Sequence, residues 1–595
     1  MSLASVRSKS RLIFISVTAC ALALGFSGCT KKPAESPNTL HLFSIAKIKG
    51  LDPAQADDLY ADTEINRVYD GLYQYAFLKR PYTLEPNLAE AMPEISADRK
   101  TYTIKIKKGV LFQDDASFKA TNGKGRELTS DDVVFSFKRL ADPKIASVGW
   151  WIFDGKIAGL NDWRDAASKT GTADYAAAVE GLKAVDRYTV QIKLKDPSYQ
   201  FIYALQMPFT HIVPKEAVDA YGKEFINHAV GTGPYRVEEY NPNSKIIYVR
   251  NPTYRHEVYP SEGEPGDKEK GLLEDAGKTI PFVDRVVVTI FEESQPQWLN
   301  FLAGKLDYST VPKDNFDATM KPGSKDELND EMKKKGLSLQ VYTDLDVTHE
   351  TFNMADPVLG KNKLLRQALS MALDPKPLID LFYNGRALPA QGPIPPGLSG
   401  YDPNLKNPYR QYNLEKAKEL LKQAGYPDGK GLAPIEYVTL SDSTSRQMND
   451  YLAKAFTALG VSLKMNTYSW PEFQAAVKNK KGQMWGFAWG ADYPDAENFF
   501  QLFYSKNVSP GPNDANYTNP EYDKLYEKAL TLPDAPERTA LYQQMAKLLV
   551  EECPWIFNAH RLIYHVVQPW VKNYKYSTVE KNRFKYVRLD PTLKK

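Results

Sequence analysis

The side chains that could perform acid–base or nucleophilic chemistry are present, but their spacing matches no catalytic arrangement. The seven histidines are scattered, and only His560 and His565 are close, at a separation that suits neither one helix face nor one strand face. Cys553 stands in a Cys-Pro-Trp segment, which favours a small buried hydrophobic residue over a reactive thiol. Adjacent carboxylates are expected by chance among 73 acidic residues.

The short motifs that position catalytic groups are also missing. The sequence contains no G-x-S-x-G nucleophile elbow, no P-loop, no H-E-x-x-H motif and no G-x-G-x-x-G fingerprint. Residues 231–233 read Gly-Thr-Gly, but Pro234 follows and one such pair does not make a dinucleotide site. We therefore predict that the protein is not an enzyme and holds no cofactor or metal.

The first 28 residues have the layout of a bacterial export signal. Arg7, Lys9 and Arg11 precede an apolar run over 12–28, which ends at Gly-Cys. That end resembles a lipobox, in which Cys29 is lipidated and becomes the mature N-terminus. Cys20 is a rival lipidation site, but it leaves a shorter apolar run, and polar residues begin only after Cys29. An uncleaved membrane anchor would place the body in the same compartment.

Removal of residues 1–28 changes the net charge and the cysteine count of the protein. The 595-residue chain has net charge +3, and residues 1–28 carry three basic and no acidic residues, so the remainder is neutral. A neutral body argues against nucleic acid, which requires a basic face. Only Cys553 remains as a free thiol, so we expect no internal disulfide and a stability that rests on large hydrophobic cores.

The elements that must position any site are mixed strands and helices. Strand-like alternation appears over 102–107, 189–194 and 286–290, and helical patterns appear over 128–140, 413–424, 525–530 and 540–550. Thr129 or Ser130 can cap the first helix, and Gly425 ends the second. The charged stretches 262–278 and 322–336 are predicted to be loops, and 30–39 a tether. The predicted class is α/β (mixed α+β) with several lobes.

Several segments, in order along the chain, resemble the extracellular solute-binding proteins of peptide ABC importers. The segment 559–571, with Ala-His-Arg-Leu and Gln-Pro-Trp-Val, is most similar to the oligopeptide branch of that family. The resembling segments are 88–115, 128–143, 231–235 with 250–254, 365–374, 416–426, Trp-Gly-Ala-Asp-Tyr-Pro-Asp at 489–495, 517–526 and 559–571.

The resemblance implies a periplasmic-binding-protein-like fold in which two jaws close around the ligand and an extra domain is inserted. Domain I is expected to be discontinuous (41–70, 215–344 and 559–595), with domain II at 71–214 and domain III at 345–558. Residues 1–28 are expected to be a signal peptide and 29–40 a lipidated tether. In this family an extended peptide lies between the jaws and pairs with protein backbone.

The resemblance also supplies candidate ligand-binding residues. Asp492 matches the aspartate that receives the peptide's α-ammonium; without the resemblance it reads as a loop or capping carboxylate. Trp489 and Trp470 match pocket aromatics, although core packing is an equal alternative for either. Asp57 and Trp150 match further pocket positions.

One feature of the family is missing from this sequence. The positions of its carboxylate-binding basic residues are held here by Val477 and Gly486, with Lys478 and Arg446 as substitutes.

The leading hypothesis is an exported, membrane-anchored and monomeric receptor that delivers peptides to an ABC permease. Its lipid anchor would lie in the bilayer at the periplasmic or cell-surface face. The alternative keeps the fold but changes the ligand to a cell-wall peptide, a metal chelate, haem or an opine. An enzyme or a lipoprotein interaction module is a third reading.

Overall fold

The structure is a computed structural model that describes residues 36, 38–55 and 58–594. The elements below all lie in the unit Asn38–Lys595. The helices are α1 (Leu59–Val68), α2 (Ser130–Ala141), α3 (Leu160–Thr170), α4 (Phe201–Ala204), α5 (Lys215–Tyr221), α6 (Ser294–Leu302), α7 (Phe316–Thr319), α8 (Asp330–Lys334), α9 (Lys363–Ala372), α10 (Pro375–Tyr383), α11 (Leu414–Gln423), α12 (Ser443–Thr457), α13 (Trp470–Lys478), α14 (Glu497–Phe500), α15 (Pro520–Leu530) and α16 (Pro536–Glu552). The strands are β1 (Thr39–Ser44), β2 (Tyr73–Tyr75), β3 (Leu84–Pro86), β4 (Glu94–Ile95), β5 (Thr101–Lys105), β6 (Leu182–Asp186), β7 (Thr189–Lys193), β8 (Tyr235–Asn241), β9 (Lys245–Arg250), β10 (Glu257–Val258), β11 (Thr279–Ile280), β12 (Arg285–Ile290), β13 (Tyr308–Thr310), β14 (Ser338–Thr343), β15 (Asp346–Phe352), β16 (Ala387–Pro389), β17 (Ile435–Leu440), β18 (Leu463–Tyr468), β19 (Met484–Gly490), β20 (Trp555–Val567), β21 (Val571–Lys572) and β22 (Arg588–Leu589).

Three larger sheets organise the described chain. One has the order β1-β12-β9-β8, and a second, antiparallel sheet has the order β4-β5-β7-β6. The third follows the path β13-β20-β15-β19-β17-β18, and β14 and β16 also pair with β20. The 13-residue strand β20 pairs with β15 and β16 in its first half and with β13 and β14 in its second half. This strand therefore links two regions of the protein within one sheet.

The buried apolar side chains form separate cores around these sheets. The largest core draws on residues between Leu40 and Val288 and on the chain end between Val567 and Leu589. Two others lie on residues between Leu345 and Ala559, on either side of the β15–β19 region. Several cores are expected for a chain too long for one.

The three strands and four helices that the sequence patterns predicted all have counterparts in the structure. The capping prediction for α2 is confirmed, since Thr129 and Asp132 form a capping box in which the Thr129 backbone N–H donates to Asp132 Oδ2 at 2.9 Å. Gly425 follows α11 with φ of 93°, a backbone conformation that favours glycine. The loop predicted over 322–336 is wrong in part, because α8 forms there with Asn329 as its N-cap. The predicted mixed α/β class is confirmed.

Candidate ligand-binding site

Asp492 lies in the loop after β19, where one buried amide fixes its position. The backbone N–H of Asp492 donates to Asn498 Oδ1 at 3.0 Å, and Asn498 Nδ2 donates to Asp492 Oδ2 at 3.1 Å. Trp489 Nε1 donates to the same Asn498 oxygen at 2.9 Å. Asn498 lies in α14 and is 0% exposed, so it orients both Asp492 and Trp489 from the protein interior.

The Asp492 carboxyl lies in an environment with little water. Burial raises its pKa, while the hydrogen bond from Asn498 and the positive charge of Lys581 act in the opposite direction. Burial lowers the pKa of the Lys581 ammonium, and the strongest opposing influence is the charge of Asp492. Asp492 as a whole residue is nevertheless only half-buried. Such a carboxylate gains strongly from a cation supplied by a ligand.

Residues 203–206 cover Asp492 from another part of the chain. Gln206 Nε2 donates to the Asp492 backbone carbonyl at 3.2 Å. The rings of Tyr203 and Tyr493 stack with centroids 5.2 Å apart and planes within 5° of parallel. These contacts join the segment predicted as domain II to the segment predicted as domain III beside the candidate site.

Trp470 belongs to an aromatic stack at the start of α13. Its ring lies parallel to those of Phe487 and Phe473, at centroid distances of 5.9 and 5.8 Å. Tyr60 of α1 meets Trp470 edge-on at 5.7 Å. The Trp470 Nε1 atom is buried and makes no hydrogen bond among the described residues. Burial raises the Tyr60 pKa to about 12, with the charge of Asp58 acting in the same direction.

An ion pair joins the beginning of β15, the strand next to β19, to β20. Arg561 Nε contacts Asp346 Oδ2, and the Arg561 backbone N–H donates to Asp346 Oδ1 at 2.9 Å. Asp344 accepts from Thr578 Oγ1 at 2.7 Å and from Tyr576 at 3.0 Å. Burial and the nearby Asp346 charge raise the pKa of Asp344. Charged side chains therefore lie at the start of β15 and on the neighbouring strand β20.

The structure brings together some of the predicted site residues and not others. Trp489 and Asp492 share Asn498, and Trp470 packs on Phe487 of the same strand, β19. Trp150 lies in a short 3₁₀ helix on the largest core, where Arg164 stands 4.9 Å from its ring. Asp57 and Cys29 lie outside the described residues.

Both substitutes suggested for a ligand-carboxylate partner are engaged elsewhere. Lys478 Nζ pairs with Asp514 at 2.8 Å and donates to the Gly511 carbonyl at 3.0 Å. Arg446 lies 3.8 Å from Glu293. Neither contact involves Asp492 or Trp489.

Three residues beside Asp492 were not identified from the sequence. Gln206 is 286 positions from Asp492, and Lys581 is also remote along the chain, so no local pattern could pair them. Asn498 lies six positions after Asp492, but a buried asparagine has no signature that distinguishes it from an exposed one. The only sequence signal for Asn498 was that it lies close to the Trp-Gly-Ala-Asp segment.

The described residues contain no group of three His, Cys, Asp or Glu side chains arranged to hold a metal ion. In the same part of the chain, no helix combines the length and the apolar character needed to cross a membrane. Cys553 is buried there as a free thiol, and burial raises its pKa to about 11, as expected for an unreactive core cysteine.

Comparison with known proteins identifies a family match over most of the chain. Residues 83–511 match the family described as bacterial extracellular solute-binding proteins, family 5 Middle. A relative from Haemophilus influenzae, heme-binding protein A, is 28% identical over 94% of this chain and 94% of its own length. Di/tripeptide-binding protein 2 of Pseudomonas aeruginosa is 26% identical over 96% of this chain and 98% of its own.

A solved structure shows the same fold. The ABC transporter-associated periplasmic binding protein DppA from Helicobacter pylori, in complex with the peptide STSA, matches with a TM-score of 0.75 at 25% identity. The match covers 93% of this chain and 98% of the other. The expected periplasmic-binding-protein-like fold is therefore confirmed.

Proposed function

Because this chain belongs to the bacterial extracellular solute-binding proteins of family 5, we propose that it captures short peptides and delivers them to an ABC permease. Its role is binding and release, with no catalytic step. The di/tripeptide-binding relative and the peptide complex of the Helicobacter protein support a peptide as ligand.

The observation that carries this proposal is the environment of Asp492. Its carboxylate is half-buried, fixed by Asn498 and desolvated enough to raise its pKa. A peptide's α-ammonium satisfies such a carboxylate by both charge and hydrogen bonding. We assign the ammonium of the ligand to Asp492 on this basis.

β19, the strand that precedes Asp492, offers hydrogen-bonding groups for a peptide backbone. In the described sheet, β17 pairs with β19 only at Met484 and Trp485. Residues 486–490 therefore have no strand neighbour on that edge, while β15 occupies the other. A peptide that extends from Asp492 along this edge would pair as an added strand, which is indifferent to side-chain identity.

The predicted domain division and anchoring complete the proposal. Domains I, II and III with the boundaries given above would form two jaws, and the Gln206–Asp492 and Tyr203–Tyr493 contacts would then lie between them. Export, lipidation at Cys29, a monomeric state and a permease partner are part of the same proposal. The pocket roles of Trp489, Trp470, Asp57 and Trp150 also belong to it.

Replacement of Asp492 tests the proposed function. In Asp492→Ala, affinity for trialanine should fall by about 2–5 kcal/mol, measured by isothermal titration calorimetry, because the ammonium loses a desolvated partner. Asp114→Asn is a matched control, since that carboxylate pairs with Lys124 at the surface and should leave affinity unchanged. Both variants should keep the wild-type circular dichroism spectrum. Wild-type affinity in a folded Asp492→Ala protein would contradict the assignment.

A second candidate ligand is haem, because the Haemophilus relative carries that name. Four histidines of the described chain, His211, His349, His560 and His565, are buried with pKa values lowered by desolvation. None of them contacts Asp492 or Trp489 through a hydrogen bond or ring contact. Native mass spectrometry of the protein purified without added ligand distinguishes a retained peptide from haem, another chelate or an opine.

A further inference from the structure

The N-terminus of α12 is held by a carboxylate from a distant part of the chain. The Ser443 backbone N–H donates to Glu293 Oε1 at 3.2 Å and to Oε2 at 3.3 Å, and the Ser443 hydroxyl donates to Oε2 at 2.6 Å. Arg446 Nη2 lies 3.8 Å from Glu293 Oε1. Glu293 and Ser443 are 150 positions apart and both are half-buried. A single carboxylate therefore accepts both donors of the first residue of α12.

Glu293 serves α12 and not the helix that it precedes. It occupies the N-cap position of α6, but its side chain makes no capping hydrogen bond to that helix, all of which lies in the described chain. α12 has an N-cap of its own, Asp442, which accepts from the Ser445 N–H at 3.0 Å. The partial positive charge at the N-terminus of α12 favours a nearby carboxylate. The main effect of the Glu293–Ser443 contact is therefore to join two distant segments.

This contact lies far from the strand that links the two regions of the protein. α12 follows β17, and the sheet order from the linking strand β20 runs through β15 and β19 to β17, about 14 Å at the usual strand spacing. Tyr60 of α1 contacts Trp470, just after the next strand β18, at 5.7 Å. The ends of two neighbouring strands are thus both contacted by residues from the N-terminal half of the chain.

We propose that Glu293 holds the two jaws closed and thereby slows the release of a bound ligand. With the domain boundaries proposed above, Glu293 belongs to domain I and Ser443 to domain III, so the jaws cannot separate without breaking their three hydrogen bonds. This inference rests on the proposed function for its ligand, whereas the contact itself joins protein groups only. Glu293 acts on the ligand through closure and is a positioning residue.

A role in closure predicts a specific change in binding kinetics. In Glu293→Ala, trialanine should dissociate about fivefold faster, because the closed arrangement loses a charge-assisted contact that is partly exposed to water. The association rate should stay unchanged, since the contact forms after the ligand has entered. N-acetyl-trialanine should dissociate faster by the same factor, because the contact does not involve the charge of the ligand.

The partner residue allows the same contact to be removed from the other side. Ser443→Pro deletes both donors to Glu293, and proline is compatible with the first position of a helix. The preceding residue, Asp442, has the extended backbone that proline requires, with φ of −70° and ψ of 165°. Ser443→Pro should therefore reproduce the kinetics of Glu293→Ala. The double variant should dissociate no faster than either single variant, since all three lack the same contact.

The first experiment measures these rates by stopped-flow tryptophan fluorescence with trialanine and N-acetyl-trialanine. Glu292→Ala is a matched control, because this adjacent carboxylate pairs with Lys47 at 3.4 Å, within the segments proposed as domain I, and should leave both rates unchanged. Wild-type dissociation in Glu293→Ala, or additive effects in the double variant, would overturn the proposal. An effect confined to the unmodified peptide would also overturn it, because Glu293 would then act on the ligand's charge and not on closure.

A second experiment needs no ligand. Hydrogen exchange of residues 441–446, followed by mass spectrometry, reports on the Ser443 amide that Glu293 accepts. We expect this segment to exchange faster in Glu293→Ala than in the wild type and in Glu292→Ala. Equal exchange in all three proteins would overturn the contact. If neither peptide binds the wild type, the proposed function fails, and this measurement still decides whether Glu293 holds the start of α12.

Discussion

At the scale of single residues, the candidate site depends on groups that no sequence pattern identified. Asp492, Trp489 and Trp470 were found because they match positions of the family, and the first two share Asn498 in the structure. Asn498, Gln206 and Lys581 have no motif of their own. Their roles arise from burial and long-range contacts, which spacing along the chain does not encode.

Asn498 provides a test at this scale. In Asn498→Leu, the Asp492 N–H and the Trp489 Nε1–H lose their common acceptor, so peptide affinity should fall about tenfold and stability by about 1–3 kcal/mol. Calorimetric titration and denaturant unfolding measure the two effects. Asn507→Leu, which replaces another buried amide bonded to Gln501, should lose stability and keep affinity. Unchanged affinity in Asn498→Leu would show that this amide does not organise the site.

At the scale of secondary-structure elements, local patterns were more informative. The alternation over 102–107, 189–194 and 286–290 predicted β5, β7 and β12, and the capping signal predicted the start of α2. The loop predicted over 322–336 was wrong where Asn329 caps the short helix α8, because abundant charge masked a helix start. The position of β15 between β19 and β20 could not be predicted, since it depends on pairings between distant segments.

β15 carries a buried carboxyl, Glu350, that should make stability depend on pH. Burial raises its pKa to about 7, and it accepts hydrogen bonds from Tyr437 at 2.6 Å and Asn558 at 3.1 Å. Because the folded-state pKa lies above the ordinary value, its contribution is fully present below pH 4.5 and is lost as pH rises to about 7. The loss amounts to about 3 kcal/mol.

Glu350→Gln removes this ionisation and retains the hydrogen-bonding shape. The difference in unfolding free energy between variant and wild type should therefore shift in favour of the variant by about 3 kcal/mol between pH 4.5 and pH 7.5. Denaturant unfolding across this range measures it. A difference that stays constant with pH would show that Glu350 is not protonated in the folded protein at low pH.

At the scale of the whole molecule, the family motifs predicted the fold, and the structure brings distant segments together at Asp492, the proposed ligand-binding residue. Gln206 contacts Asp492, and Tyr203 from the same segment stacks on Tyr493, the residue after Asp492. Composition argued against nucleic acid as a partner and against a disulfide scaffold. Composition could not indicate which segments meet, because contacts between residues that are distant in the sequence form only in the folded chain.

The central claim is that the protein recognises a peptide through its free α-ammonium. Calorimetric titration of the wild-type protein with trialanine and with N-acetyl-trialanine tests this most directly. Acetylation converts the ammonium into a neutral amide that keeps a single N–H donor and gains an acetyl group, so we predict that it weakens binding by at least about tenfold. Equal affinity for the two peptides, or binding of neither, would contradict the account.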